Sequence, residues 1–150
     1  GSGTFDPMLG VTYVTESLDS WSFGGQATTT QRFGRNDQGY TLGNEYHLTG
    51  WASHWVGDYV QLSMRLKGQY WEDIEGADDE LNVGMIPTAR ADLRSGVRLD
   101  ALMGVNWFPF GSEPNMPYFT LEGGLPVYQD LDGPQLETDY LFTLGAVITF

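Results

Sequence analysis

The sequence predicts an all-β protein: an antiparallel transmembrane β-barrel of about 7–8 strands, forming one domain over residues 1–150. Three observations carry that prediction. Segment after segment alternates apolar and polar residues at period two, the spacing of a strand with two unlike faces. No run of about eighteen apolar residues exists, so no membrane-spanning helix can be drawn. The final stretch keeps Tyr140, Phe142, Leu144, Ala146, Ile148 and Phe150 on one face, with Thr143, Gly145 and Thr149 opposite. A soluble sheet ending this way leaves an apolar edge open to aggregation, whereas lipid covers the same face harmlessly.

Charge and composition narrow the function. Twenty acidic residues against seven basic give a net charge of −13, which excludes nucleic acid as a partner because phosphate binding needs Lys and Arg. An acidic exterior instead suits outer-membrane lipid and lipopolysaccharide, bridged by divalent cations. There is no cysteine, hence no disulfide and no thiolate metal site. The opening Gly1-Ser2-Gly3-Thr4-Phe5 lacks a basic start and an apolar core, so an export signal is expected outside this stretch. Abundant aromatic residues and glycine fit strands packed edge to edge between interfacial aromatic belts.

The elements follow in order. Phe5 to Thr15 places Phe5, Leu9, Val11 and Tyr13 opposite Asp6, Gly10 and Thr12, and Glu16 to Ser20 makes a turn. Trp21 to Phe33 sets Trp21, Phe23, Ala27 and Phe33 against Ser22, Gln26, Thr28, Thr30 and Arg32, and Gly34 to Gly39 forms a loop. Tyr40 to Trp55 turns Tyr40, Leu42, Tyr46 and Leu48 away from Glu45, His47 and Thr49, and Gly57-Asp58 reverses the chain. Tyr59 to Trp71 alternates most cleanly, with Val60, Leu62, Met64, Leu66 and Tyr70 outside and Gln61, Ser63, Arg65, Lys67 and Gln69 inside. Glu72 to Arg90 is a long acidic loop. Leu93 to Phe110 sets Leu93, Val97, Leu99, Ala101, Met103, Val105 and Trp107 against Arg94, Arg98, Asp100 and Asn106, before a turn at Gly111 to Asn115. Tyr118 to Tyr128 opposes Phe119, Leu121, Leu125 and Val127 to Thr120, Glu122 and Tyr128, and a second acidic loop leads into the last strand.

Seven strands ending on the periplasmic side put the connections after the first, third and fifth strands there, all short, with the longest loop outside. The first strand then runs parallel to the last. Single-chain bacterial barrels have even counts, so either an eighth strand is unrecognised or further strands precede this segment.

The charged inward set is Glu45, His47, Arg65, Lys67, Arg94, Arg98, Asp100 and Glu122. These residues either line a polar channel or pair across strands and plug a narrow lumen. At about eight strands plugging is favoured, and with more strands an open bore. Leu62, Leu66, Val97, Leu99, Phe142, Leu144, Ile148 and Phe150 are the expected lipid-facing residues. Trp21, Trp55, Tyr59, Trp71 and Trp107, near strand ends, read as interfacial girdles. Ser53, His47, His54 and Glu45 do not make a hydrolase: Ser53 lacks a nucleophile elbow and alternation separates it from His54. The acidic run Glu72 to Glu80 lacks the spacing of a calcium loop. No enzyme activity, cofactor or metal is expected.

The terminal strand resembles the C-terminal signature of bacterial outer-membrane barrels, which the outer-membrane assembly machinery reads. Gly124-Leu125-Pro126-Val127-Tyr128-Gln129-Asp130-Leu131-Asp132-Gly133-Pro134-Gln135-Leu136-Glu137-Thr138-Asp139, Gly39-Tyr40-Thr41-Leu42-Gly43-Asn44-Glu45-Tyr46 and Gly1-Ser2-Gly3-Thr4-Phe5-Asp6 resemble a family of proteobacterial outer-membrane proteins assigned to transport in the phenol-degradation meta-pathway. The resemblance runs over essentially the whole chain. It implies location in the bacterial outer membrane and passive passage of small aromatic or hydrophobic compounds. Members are longer, so it also implies that this chain is the C-terminal part of a barrel, with self-association as a route to closure. The alternatives are a non-conducting barrel with an ion-paired lumen and a soluble β-barrel that binds a small molecule.

Overall fold

The computed structural model describes residues 2–15, 20–78, 84, 90–111 and 116–148. Seven strands, β1 Met8–Val14, β2 Trp21–Thr30, β3 Glu45–Val56, β4 Val60–Trp71, β5 Gly96–Trp107, β6 Tyr118–Leu131 and β7 Leu141–Val147, form one sheet in chain order. Every neighbouring pair is antiparallel. Among the described residues the sheet is open, with β1 and β7 as its edges. No helix is long and apolar enough to cross a membrane, which says nothing of crossing by strands.

Alternation builds two unlike faces. Register carries one apolar row through Ala27, Leu48, Gly68 and Leu99, and another through Val56, Val60, Trp107 and Phe119. Leu62, Leu66, Val97, Leu99, Phe142, Leu144 and Ile148 are all exposed, as are Met64, Met103, Leu121 and Leu125. Phe150 lies outside the described residues. On the opposite face Thr30, Ser53 and Asp100 are buried, and Leu102 is the one buried apolar side chain among the described residues. Apolar side chains stand exposed on one face while the buried positions of the other are mostly polar, the reverse of the usual sorting in a globular domain.

Connections alternate in character. The β1–β2, β3–β4 and β5–β6 joints share one end, the tightest being 57–59, where Gly57 takes a φ of 72° that other residues rarely adopt. The opposite end carries 31–44, 72–95 and 132–140. The bridge Thr41–Glu75 joins the first two of these connections, and Phe5–Phe33 ties the segment before β1 to the first.

Several boundaries differ from expectation. Tyr40 and Leu42 belong to the β2–β3 connection, because residues before Glu45 bridge to other connections instead of to β2. Leu93 ends a short 3₁₀ turn, and Arg94 sits in the connection before β5. A bulge opposite Leu99–Asp100 adds one residue to β6, so Tyr128 pairs with Leu99 and joins the apolar face it was expected to oppose.

Two glycines let side chains lie flat on the polar face. Gly24 pairs with Trp51, and a Cβ at Gly24 would strike the indole ring. Gly96 bears the same relation to Trp71. Trp71 and Trp55 lie on the polar face, away from the apolar face that a girdle would share: Trp71 pairs with Glu45 and Trp55 with Gln61.

Candidate functional site: the polar face of the sheet

Four central strands bring the polar residues together in rows. Trp51, Arg65, Leu102 and Gly124 form one; Thr49, Lys67, Asp100 and Pro126 the next; His47, Gln69, Arg98 and Gln129 the third. Charges from different strands thereby share one surface.

Two ion pairs organise its middle. Arg65 Nε stands 3.0 Å from Glu122 Oε2, bridging β4 and β6 across β5. Arg98 Nε stands 3.0 Å from Asp100 Oδ1 and donates to Oδ2 at 3.2 Å, while Gln69 Nε2 donates to the same Oδ2 at 3.1 Å. Asp100 is wholly buried: Arg98 and Gln69 satisfy its Oδ2, while Oδ1 has the Arg98 charge beside it and accepts no hydrogen bond. Lys67, directly opposite Asp100 in the β4–β5 ladder, makes no ion pair among the described residues.

A second cluster lies at the long-connection end, centred on Arg32. Its guanidinium donates to Asp6 Oδ2 at 2.7 Å, Glu45 Oε1 at 2.6 Å and the Gly43 carbonyl at 3.0 Å. His47 Nε2 lies 3.5 Å from the other oxygen of Glu45. Hydroxyl hydrogen bonds from Ser2 and Thr4, reinforced by the Arg32 charge, hold the Asp6 carboxyl below the usual carboxylate range. Arg32 and Asp6 were absent from the expected lumen set, although alternation had already put both on the polar side. Arg94 of that set lies elsewhere: its backbone N–H donates to Asp73 Oδ1 at 2.7 Å.

The connection 132–140 folds back against the polar face. Gln129 and Thr138 exchange two hydrogen bonds, of 2.9 and 3.0 Å, and Arg98 Nη1 donates to Thr138 Oγ1 at 2.7 Å. Gln135 reaches the Ser95 carbonyl at 2.6 Å. At the other end Trp55 packs on Phe108 and Phe108 on Tyr118, each with ring centroids 4.7 Å apart. Sequence gave no hint of this aromatic stack, because Phe108 lies just beyond β5, where period two no longer applies.

The hydrolytic set is not assembled. Ser53 Oγ shares a hydrogen bond with Ser22 Oγ at 2.6 Å, and His54 turns to the apolar face, stacked on Trp21 at 4.5 Å. Among the described residues no His, Asp and Glu groups are arranged to hold a metal ion. In the acidic connection, Glu72 accepts from Asn44 at 2.8 Å and Asp73 from two backbone N–H groups at 2.7 Å, so both carboxylates hold loops together. Asp79 and Glu80 lie outside the described residues.

No match was found among curated proteins or among solved structures. A family model does match, over residues 1–106, spanning the first four strands and nearly all of β5, with the stretch 124–139 beyond it. The chain belongs to the family described as "Putative MetA-pathway of phenol degradation".

Proposed function

We propose that this sheet is the wall of an outer-membrane β-barrel, its apolar face against lipid and its polar face lining a lumen for passive passage of small compounds. The observation that carries this reading is the inversion of polarity: Leu62, Leu66, Met103 and Leu144 stand exposed while Asp100 is buried. The dimensions agree. From Val60 to Tyr70 the apolar stripe of β4 covers ten residue steps, about 33 Å of strand. Tilted by roughly 40°, it spans about 25 Å, the height of the apolar band in such barrels. Aromatic pairs border that band, Trp107–Phe119 towards the short turns and Tyr46–Tyr70 towards the long connections.

The family description supports a place in the handling of phenolic compounds, and passage through the wall is the role proposed for it there. Outer-membrane lipid, lipopolysaccharide and the assembly machinery are the expected partners. β1 and β7 run in the same direction, so antiparallel closure takes an odd number of further strands between them.

A second reading rests on the ion pairs. Arg65–Glu122 and Arg98–Asp100, with Thr138 drawn onto Arg98, fit a filled, non-conducting lumen. Refolding into detergent followed by planar-bilayer recording separates the two. Stable conducting steps support transport, and insertion without conductance favours the filled barrel. A chain that stays monodisperse without detergent contradicts both.

A further inference from the structure

Resting on the transport reading, we infer that the waist of the lumen selects small organic anions, through cations that stand above recessed carboxylates, although the chain as a whole is strongly acidic. In the pair Arg65–Glu122 the arginine side chain is 44% exposed and the glutamate 16%. In Arg98–Asp100 the arginine is 19% exposed and the aspartate fully buried. Each pair is neutral in sum, yet the positive member is the one a passing solute meets. Lys67 adds a cation with no carboxylate partner among the described residues, since Arg98 and Gln69 occupy the neighbouring Asp100. Trp51, flat against Gly24, places an apolar ring beside Arg65 in the same row. An organic anion meets both demands of that surface, charge and apolar contact.

The order reverses at the long-connection end. There Arg32 is 13% exposed beneath Asp6 at 21% and Glu45 at 37%, so carboxylates are outermost. Among the described residues most of the acidic side chains lie outside the strands. Charges at a wide mouth are screened by salt within about 8 Å. Charges fixed on a low-dielectric wall act on a solute at close range and set its sign.

The test is the reversal potential of the inserted protein across a potassium chloride gradient, with Lys67→Glu for comparison. The inference expects chloride favoured over potassium by roughly threefold or more, with the preference lost or inverted in Lys67→Glu. Arg35→Ala, in an exposed connection, should keep the wild-type ratio. A cation preference, or a ratio that Lys67→Glu leaves unchanged, overturns it. If the protein inserts but conducts nothing, the transport reading fails, and charge preference is read by tryptophan fluorescence in micelles. Benzoate binding more tightly than benzylamine, with the difference abolished in Lys67→Met, upholds the charge inference; equal or reversed binding overturns it.

Discussion

Lys67 and Asp100 face each other across the β4–β5 ladder, yet Asp100 gives its carboxylate to Arg98, two residues along its own strand, and to Gln69. That choice leaves the Lys67 ammonium without an ion pair among the described residues and makes Asp100 an anchor. Removing one member of a buried pair strands the other charge, at a cost of about 3–5 kcal/mol. Asp100→Ala should therefore lower stability by about 3 kcal/mol, and Lys67→Met by much less. Urea unfolding of the protein refolded in detergent measures both.

Position on the apolar face should dominate the effect of an added charge. Leu66→Arg places a cation near the middle of the band and should cost about 2–4 kcal/mol, whereas Gln69→Arg, on the polar face, should cost far less. Folding yield into lipid vesicles reads the contrast, and equal effects would contradict the assignment of faces.

Gly24 and Trp51 form a lock. Gly24→Ala forces the indole off the wall, with an expected loss of about 1–3 kcal/mol. Near-ultraviolet circular dichroism should show the ring losing its fixed environment. Adding Trp51→Phe should recover part of the loss.

The Asp6–Arg32 contact should fade in acid. The folded carboxyl titrates below its usual value, held there by Ser2, Thr4 and Arg32. Its contribution is therefore complete above the unfolded value, near 3.9, and lost as pH falls through the lower folded value. The stability difference between wild type and Asp6→Asn should be constant at neutral pH and shrink below about pH 4. A difference that grows in acid would show the opposite shift.

Faces were legible in the sequence wherever a strand stays regular. Along β4, Leu62, Met64 and Leu66 separate cleanly from Ser63, Arg65 and Lys67, because period two alone decides the side. Tyr128 was misread because a bulge adds a residue without leaving a mark in the pattern. Trp55 and Trp71 depart from the girdle expectation because parity, and not aromatic character near a strand end, decides the face: each pairs with a polar-face residue. Arg32 was on the correct side, but its role depends on Asp6 and Glu45 converging from β1's approach and β3, which linear spacing does not express. Arg94 followed the alternation backwards past the point where β5 begins.

The absence of cysteine makes the central claim directly measurable. Single cysteines placed in turn at Leu62, Ser63, Leu66 and Gln69 of β4 carry a nitroxide, and the labelled proteins are folded into lipid vesicles. Collision with oxygen, which concentrates in lipid, is compared with collision with a water-soluble nickel complex. If the apolar face meets lipid, labels at 62 and 66 favour oxygen and those at 63 and 69 favour nickel. Equal access at all four positions, or the opposite phase, would contradict it.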